Sequence, residues 1–185
     1  MNFEQNFFTL LQLPQQFAVD DAQLAASHRA LQRQYHPDRY VNAVPQEQRL
    51  AVQFSAHLNT AMATLKNPVQ RALHLLSLAG IDIDCQQRTI ADGEFLLRQM
   101  AFRESLDAAL ADDDRGAMTQ LVAEVAAQFD HCQTVFSQQF ADVCKRSIDL
   151  PVIDAADDFA ALLDTVEKMQ FFEKLHAEVQ RMLPV

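Results

Sequence analysis

Leu31-Gln32-Arg33-Gln34-Tyr35-His36-Pro37-Asp38 decides how the first part of this chain folds. Pro37 disfavours helical geometry for the residue before it, so a helix running through Tyr35 must stop, and His36-Pro37-Asp38 is expected as an exposed corner between two helices. Upstream, Asp20-Asp21-Ala22-Gln23 offers an acidic N-cap with Gln three residues later, a start signal of the capping-box type. Leu24, His28, Leu31 and Tyr35 then fall at i, i+4, i+7 and i+11, one face of a helix, with Arg29 and Arg33 four apart on a different, solvent-facing side. Downstream, Pro45 can open a helix in its first turn. Leu50, Phe54, Leu58, Ala61, Met62 and Leu65 repeat at the helical period until Asn67-Pro68 stops it.

The remainder of the chain has the same helical character. Only 3 Gly and 6 Pro occur in 185 residues, amid abundant Ala, Leu, Gln and Asp, which predicts an all-α protein of one large or two small domains. After Pro68 a short helix is expected, with Val69, Ala72, Leu73, Leu75 and Leu76 apolar and Gly80 as its C-terminal stop. Ile81 to Ala91 lacks a helical period and reads as a connector, whose Ile81, Ile83 and Ile90 are suited to packing between domains. The expected division is therefore 1–77, a connector at 78–91, and 92–185.

In the second half, Asp92 is suited to cap a helix running to about Leu110, and Asp112-Asp113-Asp114 to end it and start another. Met118, Val122, Val125, Phe129, Cys132, Phe136, Phe140 and Val143 step by threes and fours, with Cys132 and Cys144 as small hydrophobes of the seam. Leu150-Pro151 breaks the chain before a last helix from about Asp154, with Phe159, Leu162, Val166 and Met169 as its core stripe. Three long helices with short links predict an antiparallel bundle.

Charge and cysteine bound the function. Residues 1–75 hold six basic side chains (Arg29, Arg33, Arg39, Arg49, Lys66, Arg71) against five acidic (Glu4, Asp20, Asp21, Asp38, Glu47), a net of +1, so the rest carries −11 of the total −10. Nucleic acid is excluded as a partner on this ground, since phosphates require Lys/Arg clusters. No run of about twenty apolar residues is present to span a membrane. The N-terminus lacks the pattern of a secretory signal or transit peptide. Cys85, Cys132 and Cys144 are an odd number at wide spacing, which fits neither a disulfide framework nor a metal site, and a reducing cytoplasm is expected.

Two antiparallel helices joined at His36-Pro37-Asp38, preceded by the apolar segment Phe7-Phe8-Thr9-Leu10-Leu11-Gln12-Leu13-Pro14, resemble a J-domain. That resemblance implies a non-enzymatic role. The His-Pro-Asp loop (His36, Pro37, Asp38) and the basic face of the preceding helix (Arg29, Arg33) would dock on an ATP-bound chaperone of the DnaK type and favour ATP hydrolysis. Two cations one turn apart can steer toward an acidic surface, and Asp38 can accept from a partner Arg, although Arg29 and Arg33 also fit an ordinary solvated face.

Over essentially its full length the chain further resembles the HscB family of J-domain co-chaperones of iron–sulfur cluster biogenesis. The matching stretches are the opening octapeptide, Arg71-Ala72 with Leu75-Leu76-Ser77-Leu78, Phe95-Leu96-Leu97 with Arg103-Glu104, and Phe171-Phe172-Glu173-Lys174-Leu175. The resemblance implies two partners, an HscA/DnaK-type ATPase and an IscU-type iron–sulfur scaffold, and no cofactor or metal of its own. The scaffold-binding positions it implies are Leu96, Leu97, Met100, Glu104 and Phe171. Ala101 stands where some members carry an acidic residue. The cysteine-rich N-terminal extension of human-type members is absent from the sequence given, which leads to the expectation of a bacterial cytoplasmic protein.

The residues support a binding surface independently. At about 100° per residue Phe95, Phe102 and Leu106 share one side of their helix, while Leu96 and Met100 lie roughly 100–140° away. Adjacent Phe171 and Phe172 cannot both point to a bundle centre. Surplus apolar side chains beside Arg103, Glu104 and Asp107 fit a protein-contact patch with a polar rim, or packing against the first domain or the connector. A general J-protein that recruits a DnaK-type chaperone to unfolded clients is the alternative function. An acid–base or metal site built from His57, His74, His131 or His176 is disfavoured, because the spacings give no ligand run.

Overall fold

Helix starts and stops follow from local capping. A computed structural model of the chain describes residues 3–81, 92–146 and 155–182, and divides into two compact units, Met1–Ile83 and Asp84–Val185. Residues 82–91 of the connector expected at 78–91 and the Leu150-Pro151 break lie outside the described residues, so the packing role expected of Ile83 and Ile90 is not described either.

In the first unit, Asn6 caps the short helix α1 (Phe7–Leu10), accepting from Thr9 N–H at 2.8 Å. Asp20 caps α2 (Asp21–Tyr35), one carboxylate oxygen accepting from Ala22 N–H at 2.8 Å and Gln23 N–H at 3.2 Å. After a 3₁₀ turn at Pro37–Tyr40, Pro45 occupies the first position of α3 (Pro45–Lys66). Asn67 ends α3 and caps α4 (Pro68–Leu78), accepting from Gln70 N–H at 2.8 Å. Gly80, at φ +81°, closes α4: its N–H reaches Ser77 O at 3.0 Å and Ile81 N–H reaches Leu76 O at 3.1 Å, a Schellman arrangement that needs the left-handed conformation glycine adopts without strain.

The α2–α3 hairpin closes over Leu24, Phe54, Leu58, Ala61 and Leu65, with Phe8, Leu11, Leu75 and Leu76 completing the core. Two positions of the α3 stripe differ from the sequence expectation: Met62 is half-buried, and the inward position at 50 passes to its neighbour. Ala51 is fully buried and Leu50 is exposed, because the inward positions step 51, 54, 58, 61 and 65, and close helix contact there takes the small side chain. The N-terminal segment is held by rings: Phe7 stacks on His74 at 4.6 Å, and Phe3 and Phe7 each sit 5.5 Å from His57. Burial pushes the His74 imidazole below its ordinary pKa.

Arg71 is the buried charge of this unit. Its Nε donates to Leu65 O at 2.6 Å and its Nη1 to Phe17 O at 2.8 Å, while the guanidinium lies 5.4 Å from the Phe17 ring centroid. Burial lowers its pKa, and the charge of Asp21 partly offsets that. Arg71 therefore satisfies a last-turn carbonyl of α3 and pins the loop before α2, a role that hydrophobic periodicity cannot reveal. Arg71→Ala strands both carbonyls and is expected to destabilise the fold by about 2–4 kcal/mol. A lowered urea midpoint at unchanged m-value is the result to look for, and an unchanged midpoint would show that water replaces the guanidinium.

The second unit is a bundle of α5 (Gly93–Ala111), α6 (Arg115–Arg146) and α7 (Ala155–Met182). Asp113, at φ 48°, turns the chain, and Asp114 caps α6 by accepting from Ala117 N–H at 2.9 Å. The three-residue link reverses direction between α5 and α6. Thr165 meets Gln139 across α6 and α7 at 3.0 Å. Pairs between α5 and α7, namely Asp92–Lys168, Phe95–Phe172 and Arg103–Glu178, advance together, so these two helices run parallel on either side of an antiparallel α6. The all-α expectation and the bundle hold, with no strand among the described residues.

Four seam assignments change. Leu121 is buried where Val122 was expected, Phe129 and Phe159 are half-buried, and Cys144 is exposed while Cys132 is buried. Cys144 follows buried Val143 and is thus turned about 100° off the seam. Burial raises the pKa of both thiols, and at Cys132 the charge of Lys168 pulls the other way.

Candidate functional site

Two surfaces hold the residues singled out in the sequence, one on each unit. On the first, α2 ends at Tyr35 and His36 turns to extended backbone (φ −60°, ψ 133°) ahead of Pro37. The imidazole folds over the 3₁₀ turn: His36 Nδ1 accepts from Asp38 N–H at 3.3 Å and lies 3.5 Å from Asp38 Oδ2. With Nδ1 accepting, the neutral ring carries its proton on Nε2, leaving a donor and the Asp38 carboxylate at the same exposed corner. Pro37 is half-buried, so the tip is anchored while its polar groups remain in solvent.

The cationic side of α2 lies beside the corner. Arg29 and Arg33 are exposed, and neither has an ion pair among the described residues. Their helix is fixed from its inner side, where Asn59 Oδ1 accepts from Gln32 Nε2 at 2.7 Å and His28 Nε2 at 3.1 Å, and Ser55 Oγ donates to Gln32 Oε1 at 3.4 Å. His28 is thus a half-buried spacer, as its place on the inner face implies. Arg39 was not among the expected site residues. Its Nη1 donates to Arg33 O at 3.2 Å and so fastens the corner to the last turn of α2; a basic residue just beyond a helix C-terminus is the signal that points to it.

On the second unit, Asp92 does two jobs. Oδ1 accepts from Phe95 N–H at 3.0 Å as the cap of α5, and Oδ2 accepts from Lys168 Nζ at 2.7 Å. Lys168 also pairs with Asp164 at 2.8 Å and stands 5.4 Å from the Phe95 ring centroid. The Lys168 hydrogen bond, then the Phe95 N–H, hold the Asp92 carboxyl below the ordinary carboxylate value. Burial alone would lower Lys168, but hydrogen bonds to Asp164 and Asp92 outweigh it and keep the ammonium above the usual lysine value.

A depressed carboxyl contributes stability above its unfolded pKa and loses it as pH falls through the folded one. The melting-temperature difference between the natural chain and Asp92→Asn is therefore expected to be constant near neutrality and to shrink below about pH 4. A difference that persists undiminished into acid would remove the carboxylate–ammonium contact as its source.

Phe95, Phe102 and Leu106 turn inward, as their spacing implies, and Phe172 meets Phe95 at 5.8 Å and Phe102 at 5.7 Å. Leu96, Leu97 and Met100 are left 43 %, 69 % and 59 % exposed, with Glu104 exposed one turn beyond Met100. Phe171 is half-buried and not fully exposed. Its ring is 5.5 Å edge-on from Phe95, the chain neighbour of Leu96, and 5.3 Å from Phe172. Arg103 Nη1 reaches both oxygens of Glu178, at 2.7 and 2.8 Å, and ties the middle of α5 to α7. The outcome is an exposed apolar row on α5, followed along the helix by Arg103 and Glu104, while Phe171 of α7 packs on the inward Phe95 of the same helix and two ion-pair clasps hold α5 to α7.

The histidines weighed for acid–base work are dispersed. His57 and His74 belong to the ring packing of the first unit, His131 is exposed on α6, and His176 pairs with Gln180 at 3.3 Å. Among the described residues no three His, Cys, Asp or Glu side chains converge to hold a metal ion, and no helix is long and apolar enough to cross a membrane.

These features have counterparts elsewhere. The family model described as the HSCB C-terminal oligomerisation domain matches residues 91–180. A relative from Shewanella halifaxensis, named co-chaperone protein HscB homolog, is 37 % identical over 176 residues, 95 % of each chain. The solved chaperone HscB from Vibrio cholerae is 34 % identical, with a TM-score of 0.80 over 96 % of this chain and 97 % of that one. The crystal structure of human co-chaperone protein HscB gives a TM-score of 0.85 at 26 % identity, over 100 % of this chain and 86 % of that one.

Proposed function

Since the chain belongs to the HscB family of co-chaperones, we propose that it acts as a J-protein in iron–sulfur cluster biogenesis, binding an IscU-type scaffold through its second unit and delivering it to an HscA/DnaK-type chaperone whose ATPase it stimulates. The observation that carries the reading is the His36-Pro37-Asp38 corner. It is exposed, anchored by Pro37 and Arg39, and flanked by Arg29 and Arg33, which have no ion pair among the described residues. Such a corner can present a donor, a carboxylate and positive charge to an acidic partner surface without conformational change, which lowers the ordering cost of docking.

The second unit supports the cargo assignment. Three apolar side chains exposed in one row are more than a solvated helix needs. In this reading His36, Pro37, Asp38, Arg29 and Arg33 engage the chaperone, and Leu96, Leu97, Met100, Glu104 and Phe171 engage the scaffold. Ala101 contributes no polar contact, leaving Glu104 and Arg103 to border the row.

The test is a three-component turnover assay. This chain is expected to raise ATP hydrolysis by the chaperone, and chain plus scaffold to raise it more than either alone. Equal enhancement by an unfolded polypeptide, with none from the scaffold, would instead support the recruitment of unfolded clients.

A further inference from the structure

The link from the corner into α3 carries apolar side chains that the core does not use. Val41 is 65 %, Val44 60 % and Val52 56 % exposed, the most exposed large hydrophobic residues of the first unit. A single exposed valine is ordinary, but three on a fixed backbone at one end of a hairpin are not. Their backbone is fixed by Gln48, whose Nε2 donates to Val41 O and Ala43 O, each at 2.9 Å. Pro45 starts α3 between them.

Helix register places this group beside the corner. Asn59 and Ser55 of α3 meet His28 and Gln32 of α2, and Phe54 meets Tyr35 with ring centroids 4.7 Å apart. The two helices are antiparallel, so each step back along α3 is a step forward along α2. Val52 and Gln48, three and seven residues before Ser55, continue the same stripe of α3, Val52 at the level of Tyr35 and Gln48 one turn further, against the loop after the corner. The α2–α3 seam is polar along His28, Gln32, Ser55 and Asn59 and becomes apolar where the corner begins.

We propose that Val41, Val44 and Val52, with the loop braced by Gln48, form an apolar contact that docks on the same ATPase chaperone as His36-Pro37-Asp38. The proposal rests on the function proposed above. Continuity favours that occupant, because residues 36–44 are one uninterrupted segment. Charge favours it too: exposed Arg29, Arg33 and Arg39 beside the valines call for an acidic surface with an apolar depression, whereas a second copy of this tip would bring like charges together. An unfolded client would need a groove, and this is a braced tip.

Combined Val41→Ser, Val44→Ser and Val52→Ser should raise the concentration giving half-maximal ATPase stimulation of a purified DnaK-type chaperone by about tenfold, with the maximal rate and the melting temperature kept. Gln48→Ala, with all three valines in place, should raise it by about threefold. His36→Gln in the same titration separates the two ideas. If it loses stimulation while the serine variant titrates like the natural chain, the apolar contact is wrong and the J-protein reading stands. If His36→Gln stimulates normally, that reading falls and the apolar contact with it. Self-association of the natural chain, abolished by the serines with the ATPase titration unmoved, would assign the tip to a second copy and overturn the proposal.

Discussion

His36→Gln is expected to reduce ATPase stimulation to the rate of the chaperone alone while leaving the fold and scaffold affinity unchanged. Glutamine keeps polarity but not the ring that folds over the 3₁₀ turn, where Nδ1 accepts from Asp38 N–H at 3.3 Å and sits 3.5 Å from Asp38 Oδ2. Both the donor presented to the partner and the orientation of the Asp38 carboxylate change at once. The corner is exposed, so the substitution removes no core contact and surface changes of this kind usually alter stability by about 0.5 kcal/mol or less. Single-turnover ATP hydrolysis measures the loss, and near-normal stimulation by the variant would remove the corner from the mechanism.

Leu96→Ala, Met100→Ala and Phe171→Ala together are expected to weaken scaffold binding by at least about a hundredfold, since anchor side chains at an interface centre commonly contribute about 2 kcal/mol or more each and 1.4 kcal/mol is a decade. The three differ in what they do for the free protein. Leu96 and Met100 are exposed, and their truncation leaves melting unchanged. Phe171 packs on the edges of Phe95 and Phe172, at 5.5 and 5.3 Å, so its loss costs about 1 kcal/mol of stability as well. Titration calorimetry of Leu96→Ala/Met100→Ala alone therefore isolates binding from folding. If that pair binds scaffold normally and only Phe171→Ala weakens it, the α5 row is not the contact and the effect belongs to bundle stability. Stimulation of the ATPase by the triple variant without scaffold should persist.

Much of this was legible because helix signals are local. Asp20 and Asp92 cap where a short polar side chain precedes an apolar period, and Gly80 stops α4 where a left-handed residue is required. The separation of Phe95, Phe102 and Leu106 from Leu96 and Met100 follows from angle alone, whereas which set faces inward is set by the packing of α7. What was not legible depends on distance or size. Periodicity ranks Leu50 above Ala51, yet helix contact selects the smaller residue. Arg71 gives no sign of burial until the carbonyl of Phe17, 54 residues away, is brought to its guanidinium. Phe171 was expected as an exposed anchor, and its partial burial comes from α7 running parallel to α5, a relation no single segment encodes. Cys144 shows the opposite limit: a residue one step off a seam is exposed even when its neighbour Val143 is not.

The division into Met1–Ile83 and Asp84–Val185 places the His36-Pro37-Asp38 corner and the α5 row on separate compact units, and under the proposed function the two kinds of lesion would be unequal in a mixed population. A chain with a defective corner would still occupy scaffold and hand it to nothing, so it would act as a competitor, withholding cargo in proportion to its share of the total. A chain with a defective α5 row would occupy the chaperone instead and drive hydrolysis uncoupled from any cargo. The first defect would be a bottleneck that added scaffold relieves; the second would be a futile cycle that added scaffold leaves running.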